Sequence, residues 1–543
     1  TPLDFDRVKT WMRFCDEGHS LCNLERPAAI PGLPVLRLID VVFNNLVEVT
    51  DVPSYFALSY VWGSVPNFRL TTANKPRLLK PGAFYEAWEL LPLTIRDAIT
   101  LTKGLGGRYL WIDSLCLLQN YEDDLSQGVN VMDHIFEQSQ LTIVGACGHN
   151  ANAGLVGLLG SDRKEEQLVT EVRPGLYMGA YYSLDSYLRH SVYETRAWTF
   201  QEHLLCRKVL YFVADRVFFR CRRSEWSEIC DDKPDLPIPT YQILESAMHS
   251  QQPRKRMQLS WPLSDYASIL PEYTKRALTA DNDALRALAG IMRRVSDKLQ
   301  CPMLGGLPTR ALDQFLLFFG KNLRRRPGFP SYSWAGWHGE VRIEMEPEYN
   351  LDKWLASGHW IVWYQRDVNG TETAVWGGDD KLAGFDHRPP FSSEAVVLPS
   401  AERIPKSGRW GNFINPRPYP VLRFWSASVW FKLHDMDALA GTGQLQNNKG
   451  HACGSVALDG AEDTTLFDSG DPVELVLLSE ANYIKPRIRD VSFGFWAARG
   501  FYHVMIVEWK DGIAERRGLG TVQRNEIGNG FPPGPVWKEF TLG

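Results

Sequence analysis

The spacing of hydrophobic residues in the first half of the chain predicts a strand followed by a helix. An aromatic-rich apolar run of strand length covers Tyr55–Val61 and stops at Trp62. Apolar residues then recur at helical spacing over Leu93–Lys103. Thr94 and Asp97 have the spacing of a capping box, so we expect their side chains to cap the start of this helix.

Two further strands and another helix follow. Tyr109–Asp113 reads as a buried strand, apolar residues from Val129 to Phe136 mark an amphipathic helix, and Leu141–Ala146 reads as a third strand. Strands that alternate with helices predict a parallel sheet with right-handed crossovers. Because ligands bind beyond the carboxyl ends of such strands, we expect a site near residues 62–63, 113–119 and 147–149.

The second half of the chain changes character. Arg196–Leu205 reads as a short helix and Trp261–Leu299 as largely helical. Beyond residue 331, Asn369-Gly370 and Asp511-Gly512 are hairpin signals between apolar runs. The fold class is therefore α/β: a parallel sheet core with helical insertions, followed by a mostly antiparallel β-rich region. The expected divisions are an N-terminal arm (1–50), the α/β core (51–220), a mainly helical segment (221–330) and the β-rich region (331–543).

Other strands and one loop are expected within these divisions. Val209–Val213 and Val217–Cys221 resemble paired strands, and Val421–Leu433 is an alternating, aromatic stretch. Pro389–Ser407 carries several prolines and serines, which favours an irregular surface loop.

Composition narrows the function classes. The chain has 543 residues, which is longer than one ordinary domain, and 44% of them are hydrophobic, which is enough for a large buried core. Its net charge of −5 supplies no global field for nucleic acid, and no apolar run has the roughly 20 residues of a membrane helix. Nine scattered cysteines do not resemble a secreted disulfide framework. We expect a cytoplasmic protein with no nucleic-acid partner and no membrane span.

Three strings carry a family resemblance. They are Ala57-Leu58-Ser59-Tyr60-Val61-Trp62-Gly63, then Leu91-Pro92-x-Thr94-Ile95-x-Asp97-Ala98-Ile99 continuing through Gly107-Arg108-Tyr109-Leu110-Trp111-Ile112-Asp113 to Cys116 and Gln119, and finally Arg196-Ala197-Trp198-Thr199-Phe200-Gln201-Glu202. In order and spacing they resemble the three blocks of the fungal heterokaryon-incompatibility (HET) domain. Asn120, Ala197 and Ser139 depart from the family, which commonly has Asp, Gly and Ala there.

The resemblance carries expectations about fold and role. It implies a core similar to TIR domains, which agrees with the parallel α/β pattern. It also implies a part in fungal non-self recognition, where HET proteins trigger cell death when incompatible strains fuse. Some TIR domains cleave NAD with one essential glutamate, so NAD is a possible substrate by analogy.

Glu202 is the leading catalytic candidate. A carboxylate near the strand ends could stabilise the oxocarbenium-like ribose that forms when nicotinamide leaves. It could equally be a structural carboxylate paired with Arg196 or Arg207. Arg196 could instead clamp a phosphate with two parallel hydrogen bonds.

Other candidates lie at the predicted strand ends. Asp113 could hold a ribose hydroxyl or orient a base, or it could cap the turn that follows it. Cys116 is a candidate nucleophile with His149 or His203 as its base, or an ordinary buried cysteine. Trp62 and Trp198 could stack on a planar ring or be core aromatics, and Gln119 could bond a base or ribose or lie in a surface turn. The candidate ligand-binding residues are Trp62, Gly63, Gln119, Arg196, Trp198 and Gln201.

Cys15, His19 and Cys22 are the one local set with metal-like spacing. A structural zinc site needs four ligands, and Cys221 or Cys230 could complete this one only from a distance. Since the spacing is not that of a standard zinc module, we assign no metal and predict no zinc from it. Motifs of P-loop ATPases, zincins, α/β-hydrolases and Rossmann dehydrogenases do not occur in a fitting context.

Three functional hypotheses follow. The first is a cell-death effector that hydrolyses a nucleotide such as NAD at the strand ends and is regulated by the β-rich region. The second is a non-enzymatic module that self-associates or binds a protein partner. The third is a recruited metabolic enzyme that holds an apolar small molecule in a pocket between the core and the β-rich half, which the 19 tryptophans could line.

Overall fold

The computed structural model describes residues 2–23, 27–158, 163, 169–179, 182–228, 260–321, 323–343, 360–375, 415–437, 440–460, 470–481 and 500–543. The chain forms two compact units. The first consists of Thr1–Gln251 with Arg276–Arg293, and the second of Gln252–Lys275 with Arg294–Gly543. Among the described residues, no helix is long and apolar enough to cross a membrane.

An eight-stranded sheet organises the first unit. Its strands, in chain order, are β1 (Leu36–Asp40), β2 (Asn45–Val49), β3 (Phe56–Tyr60), β4 (Tyr109–Ile112), β5 (Leu141–Gly145), β8 (Lys208–Val213), β9 (Arg216–Cys221) and β10 (Glu225–Ser227), while β6 (Val169–Arg173) and β7 (Leu176–Gly179) form a separate hairpin. The order across the sheet is β10-β9-β8-β5-β3-β4-β1-β2.

The four central strands, β8-β5-β3-β4, are parallel, and the outer strands on both sides are antiparallel. Every residue of β3 and β5 is buried. Protein therefore covers both faces of these strands, which is why they read as continuous apolar runs rather than alternating ones. The parallel core and the strands expected at Tyr55–Val61, Tyr109–Asp113 and Leu141–Ala146 are confirmed.

The helices of the first unit up to residue 205 are, in chain order, α1 (Phe5–Gly18), α2 (Lys75–Leu78), α3 (Ala83–Glu86), α4 (Leu93–Gly104), α5 (Asp113–Cys116), α6 (Glu122–Asn130), α7 (Met132–Gln138), α8 (Leu184–Arg189) and α9 (Ala197–Leu205). The helices expected at Leu93–Lys103 and Arg196–Leu205 are confirmed. The amphipathic stretch around Val129–Phe136 forms two helices, α6 and α7, because Val131 between them leaves helical geometry (φ −115°, ψ 10°).

The capping box predicted for α4 is wrong. Its N-cap residue, Pro92, has no side-chain capping bond. The Thr94 hydroxyl accepts a hydrogen bond from the Gly154 amide (3.0 Å), and the Asp97 carboxylate accepts one from the Leu155 amide (2.7 Å). Both side chains are buried, so they fix the loop after β5 instead of the helix start.

The first unit is completed by a segment that returns from far along the chain. The Ala277 amide donates to the Thr195 carbonyl (2.6 Å), and the Arg276 guanidinium pairs with Glu194. Further on, Arg293 pairs with buried Asp133 (3.0 Å). Backbone bonds and ion pairs thus fasten residues 276–293 to the elements around α7 and α9.

An antiparallel sheet organises the second unit. Its strands are β17 (Tyr364–Arg366), β18 (Glu372–Ala374), β19 (Val421–Asp437), β20 (Thr442–Gln446), β21 (Ala452–Leu458), β22 (Val473–Ala481), β23 (Phe501–Lys510), β24 (Ile513–Gln523) and β25 (Val536–Leu542). The long strand β19 pairs with β17, β20, β22 and β25. Only β24 and β25 pair in parallel within the described part of the sheet, so the mostly antiparallel β-rich region is confirmed.

The α-helices and strands that remain in the described ranges are three further helices and six two-residue strands. The helices are Ser260–Thr274, Ala289–Leu299 and Leu312–Phe315, and the small paired strands are β11 (Met303–Leu304), β12 (Leu307–Pro308), β13 (Phe319–Gly320), β14 (Arg324–Arg325), β15 (Trp337–His338) and β16 (Val341–Arg342). The Asp511-Gly512 turn joins β23 to β24 with φ of 54° and 76°, as its sequence predicts. Gly370 lies between the paired β17 and β18, while Pro389–Ser407 lies outside the described residues.

The second unit contains a fully buried arginine paired with an aspartate. Arg516 is fully buried, and its Nε and Nη2 lie 2.7 Å from the two carboxylate oxygens of buried Asp459. The guanidinium also donates to the Leu316 carbonyl (2.7 Å) and lies 3.6 Å from the centre of the Phe318 ring. The carboxylate, the carbonyl and the ring together stabilise the buried charge of Arg516 and offset the cost of removing it from water.

Candidate active site at the carboxyl edge of the parallel sheet

The parallel strands bring their carboxyl ends to one edge of the sheet. Register places Leu58 of β3 beside Ile112, the last residue of β4. Trp62 follows β3 and Asp113 follows β4 directly. Helix α9, which packs against β3, has Arg196 at its N-cap and carries Glu202.

Glu202 is held inside this edge. Only 9% of the residue is exposed, and its Oε2 accepts a hydrogen bond from the Ser59 hydroxyl. That hydroxyl also lies 2.8 Å from the Tyr193 hydroxyl. Burial raises the pKa of Glu202 above its ordinary value, while the Ser59 hydrogen bond and the positive charge of Arg196 act in the opposite direction.

Asp113 lies close enough to Glu202 for the two charges to interact. Burial, and then the negative charge of Glu202, raise the pKa of Asp113 from its ordinary 3.8 to about 7. The Ser114 amide donates to its carboxylate (2.7 Å), and the Trp62 indole N–H also donates to it. A carboxyl with a pKa near neutrality can donate or accept a proton at physiological pH.

Arg196 is the positive group at this edge. Its Nη1 donates to the Tyr60 carbonyl (2.7 Å), and its charge lowers the pKa of both Asp113 and Glu202. We call Trp62, Asp113, Arg196 and Glu202 the carboxylate cluster. The structure thus brings together four of the residues that the sequence selected.

Tyr60 and Arg69 lie beside the Trp62 ring in the carboxylate cluster. The Trp62 ring lies 6.4 Å from that of Tyr60, and the Arg69 guanidinium lies 5.0 Å from the Trp62 ring. The Tyr60 hydroxyl accepts a hydrogen bond from the Asn67 amide group (3.1 Å). The Trp62 ring therefore lies against the Arg69 guanidinium, while its indole N–H donates to the Asp113 carboxylate.

Gly63 has a backbone role. Its φ is +65°, and a Cβ there would lie 2.4 Å from the Asn150 Cβ. The Ala151 amide donates to the Trp62 carbonyl (3.1 Å). Glycine therefore lets the loop after β3 pack directly on the loop after β5.

Three other candidates have structural contacts. The Gln119 amide group donates to the carbonyls of Asp113 and Leu117, both at 3.1 Å, which is a turn contact. Gln201 is 1% exposed and accepts from the Gly290 amide (3.2 Å). Trp198 is partly buried against the core of the first unit.

The environment of Cys116 disfavours a nucleophile. The thiol is buried, accepts from the Ile112 amide (3.4 Å), and has a pKa raised to about 12, mainly by burial. His203 is buried too, and burial with the charges of Arg276 and Arg220 lowers its pKa to about 3. A thiol that stays protonated and an imidazole that stays neutral do not form an activated pair.

Sequence reasoning missed four residues of this edge: Ser59, Tyr60, Arg69 and Tyr193. One signal was present for Ser59. It is a hydroxyl inside a continuous apolar strand, and a buried polar group needs a partner. That partner is Glu202, which lies 143 residues further along the chain.

The fold and this edge define an α/β domain with a parallel core and a pair of carboxylates, one buried and one partly buried, beside an arginine. Residues 55–202 match the sequence model of the heterokaryon incompatibility protein (HET) family. The chain therefore carries a HET domain, which confirms the family resemblance. No curated protein and no solved structure matches the chain.

Proposed function

We propose that the HET domain hydrolyses a nucleotide such as NAD at the carboxylate cluster, with Glu202 as the catalytic carboxylate. One observation carries this proposal. Two carboxyl groups with raised pKa values, Asp113 and Glu202, share one sheet edge with Arg196 and an aromatic ring. Clustered groups with shifted pKa values are characteristic of catalytic sites.

The chemistry suits these groups. The bond between the nicotinamide nitrogen and C1′ of the ribose breaks, and its electron pair leaves with nicotinamide. Ionised Glu202 stabilises the positive charge that develops on the ribose. Water then adds to C1′, and ionised Asp113 accepts its proton. The products are ADP-ribose, nicotinamide and one proton.

Arg196 and Trp62 supply binding groups. A guanidinium has five N–H donors, and Arg196 uses one on the Tyr60 carbonyl. The others suit a diphosphate. The indole ring of Trp62 suits stacking on a planar base, since aromatic faces pack well against one another.

The cellular role that we propose follows the family. HET proteins act in fungal non-self recognition and cell death, and hydrolysis of a nucleotide that every cell needs would be a direct route to death. The NAD assay below tests the chemistry independently of this role.

The test follows nicotinamide release from NAD by the full-length protein. We expect release by the natural chain and a loss of about 100-fold or more in Glu202→Gln, the size typical when a group that stabilises the transition state is removed. Glu86→Gln is the matched control, since Glu86 is an exposed surface residue paired with Arg77, and it should retain full activity.

Two outcomes would refute the proposal. One is no nicotinamide release by the folded natural chain. The other is equal release by the natural chain and Glu202→Gln. Circular dichroism of each variant shows whether it has folded, so a loss of activity can be assigned to the carboxylate.

A further inference from the structure

Four potential metal ligands meet at the end of α1. The ligand atoms of Cys15, His19, Cys22 and Cys221 all lie within 4.8 Å of one another. We call these four residues the thiol–imidazole cluster. Cys15 is in α1, His19 is its C-cap, and Cys22 ends the short 3-10 helix Ser20–Cys22. Cys221 ends β9, about two hundred residues further along the chain.

The spacing of the ligands is close to what a metal requires. In a tetrahedral zinc site with Zn–S of about 2.3 Å and Zn–N of about 2.0 Å, ligand atoms lie about 3.5–3.8 Å apart. The His19 Nδ1 lies 3.3 Å from the Cys221 Sγ. All three cysteines are buried and His19 is only partly exposed, so small side-chain rotations would close the site around an ion.

Backbone amides already point at the sulfur atoms. The amides of Arg223 and Ser224 donate to the Cys221 Sγ at 3.4 and 3.3 Å, and the Arg222 amide donates to the Cys22 sulfur. Such N–H groups stabilise metal-bound thiolates. The tight turn between β9 and β10 therefore provides both a ligand and the donors around it.

The imidazole of His19 is oriented by neighbours. Its Nε2 lies 3.5 Å from the Ser224 hydroxyl, and its ring lies 5.9 Å from the ring of Trp226. This leaves Nδ1 directed at the thiols. A metal-binding histidine commonly has its second nitrogen held in this way.

We propose that the thiol–imidazole cluster binds one zinc ion as a structural site. The cluster offers four protein ligands, which is the closed set of a structural rather than a catalytic zinc site. Bound zinc joins α1 to the turn between β9 and β10.

The site is separate from the carboxylate cluster. Cys221 pairs with Lys208, the first residue of β8, and β8 runs parallel to β5. It therefore lies at the amino edge of the parallel strands, opposite the carboxyl edge. This proposal goes beyond nucleotide hydrolysis, and either can fail without the other.

The first experiment measures metal in the full-length protein, purified under reducing conditions without chelator from cells grown with zinc. We expect one zinc per chain, falling to about a tenth or less in Cys221→Ser. His19→Cys should retain zinc, because four cysteines also form a zinc site. Cys453→Ser is the matched control and should retain it, since Cys453 is a buried thiol of the second unit bonded to the Leu445 carbonyl.

A second experiment uses only the natural chain, so it decides the question even if Cys221→Ser does not fold. Cobalt should replace zinc and show the visible absorption of a tetrahedral, thiolate-bound ion. Removing the metal with a chelator should speed tryptic cleavage within α1, at Arg7, Lys9 or Arg13, and zinc should reverse this.

The opposite results overturn the proposal. They are a natural chain that neither contains nor takes up zinc while its thiols are reduced, a folded Cys221→Ser that keeps stoichiometric zinc, or a disulfide among Cys15, Cys22 and Cys221 in the freshly purified protein.

Discussion

Replacing Asp113 with asparagine should stabilise the first unit at alkaline pH. Asp113 is ionised there despite its partly buried position and the nearby charge of Glu202, and both effects raise its pKa from 3.8 to about 7. Asparagine has nearly the same shape without the charge. Its side-chain oxygen can still accept from the Ser114 amide, as the aspartate does.

The sign follows from proton linkage. Between pH 3.8 and about 7 the folded protein holds this proton more tightly than the unfolded chain. The stability of the natural chain therefore falls as pH rises through this window. Below pH 3.8 both forms are protonated, and the cost of the charge disappears. The gain from Asp113→Asn should thus be near zero at pH 4 and complete above pH 7.

The magnitude has an upper bound. A pKa that moves from 3.8 to about 7, at about 1.4 kcal/mol per pKa unit, corresponds to about 4 kcal/mol. Partial exposure reduces this value through solvent screening, and weaker neutral hydrogen bonds from Ser114 and Trp62 subtract about 1 kcal/mol more. We expect a net gain of about 1–3 kcal/mol, or roughly 3–10 °C in melting temperature for a unit of this size.

The assay is urea unfolding of both proteins at pH 4, 6 and 8, followed by circular dichroism. The transition of the first unit should move to higher urea in Asp113→Asn at pH 8 and stay together with that of the natural chain at pH 4. A variant that is less stable at pH 8, or equally stabilised at all three values, would refute the reasoning. Asp123→Asn, which replaces an exposed carboxylate in the first turn of α6, is the control and should show no such gain.

Two further predictions concern other buried groups. Ser59→Ala removes the hydrogen bond that lowers the pKa of Glu202. In the Asp113→Asn background, where Asp113 no longer titrates, the acid limb of the pH–rate profile for nicotinamide release should therefore move to higher pH; an unmoved limb would contradict this. Asp459→Asn leaves Arg516 buried with no counter-charge from Asp459 and should cost the second unit about 3–5 kcal/mol in urea unfolding. The double variant Arg516→Met, Asp459→Leu should recover much of that loss, and no recovery would show that the cost lies in packing.

The sequence predicted those parts of the fold that depend on residues close together in the chain. Strands β3, β4 and β5 are continuous apolar runs because both their faces are buried, and hydrophobic periodicity registers burial directly. Strands β1 and β2 gave no such signal. They join the sheet as an antiparallel pair through the contact of β1 with β4, and such pairing over a long sequence distance has no local signature.

The wrong capping box shows the same limit. Thr94 and Asp97 have the correct spacing for a cap. Their side chains instead accept hydrogen bonds from the amides of Gly154 and Leu155. Those amides come from about sixty residues away. A short sequence window contains the local partner and not the competing one.

Some residues of the candidate site could likewise be predicted from the sequence, and others could not. The rule that parallel strands end at one edge placed Trp62 and Asp113 correctly without any contact information. Ser59 was missed because it looked like part of an apolar strand. Spacing could not identify Cys221 as the fourth member of the thiol–imidazole cluster, because the path of β9 brings it there from far along the chain; Cys230 lies outside the described residues.

The returning segment 276–293 limits which part of the chain can be studied as a fragment. The family match ends at residue 202, yet Glu194 and Asp133 have their ionic partners at Arg276 and Arg293. A fragment that ended with the matched region would remove both arginines from these carboxylates. We therefore expect a stable fragment of the first unit to need residues 276–293 as well as the matched region.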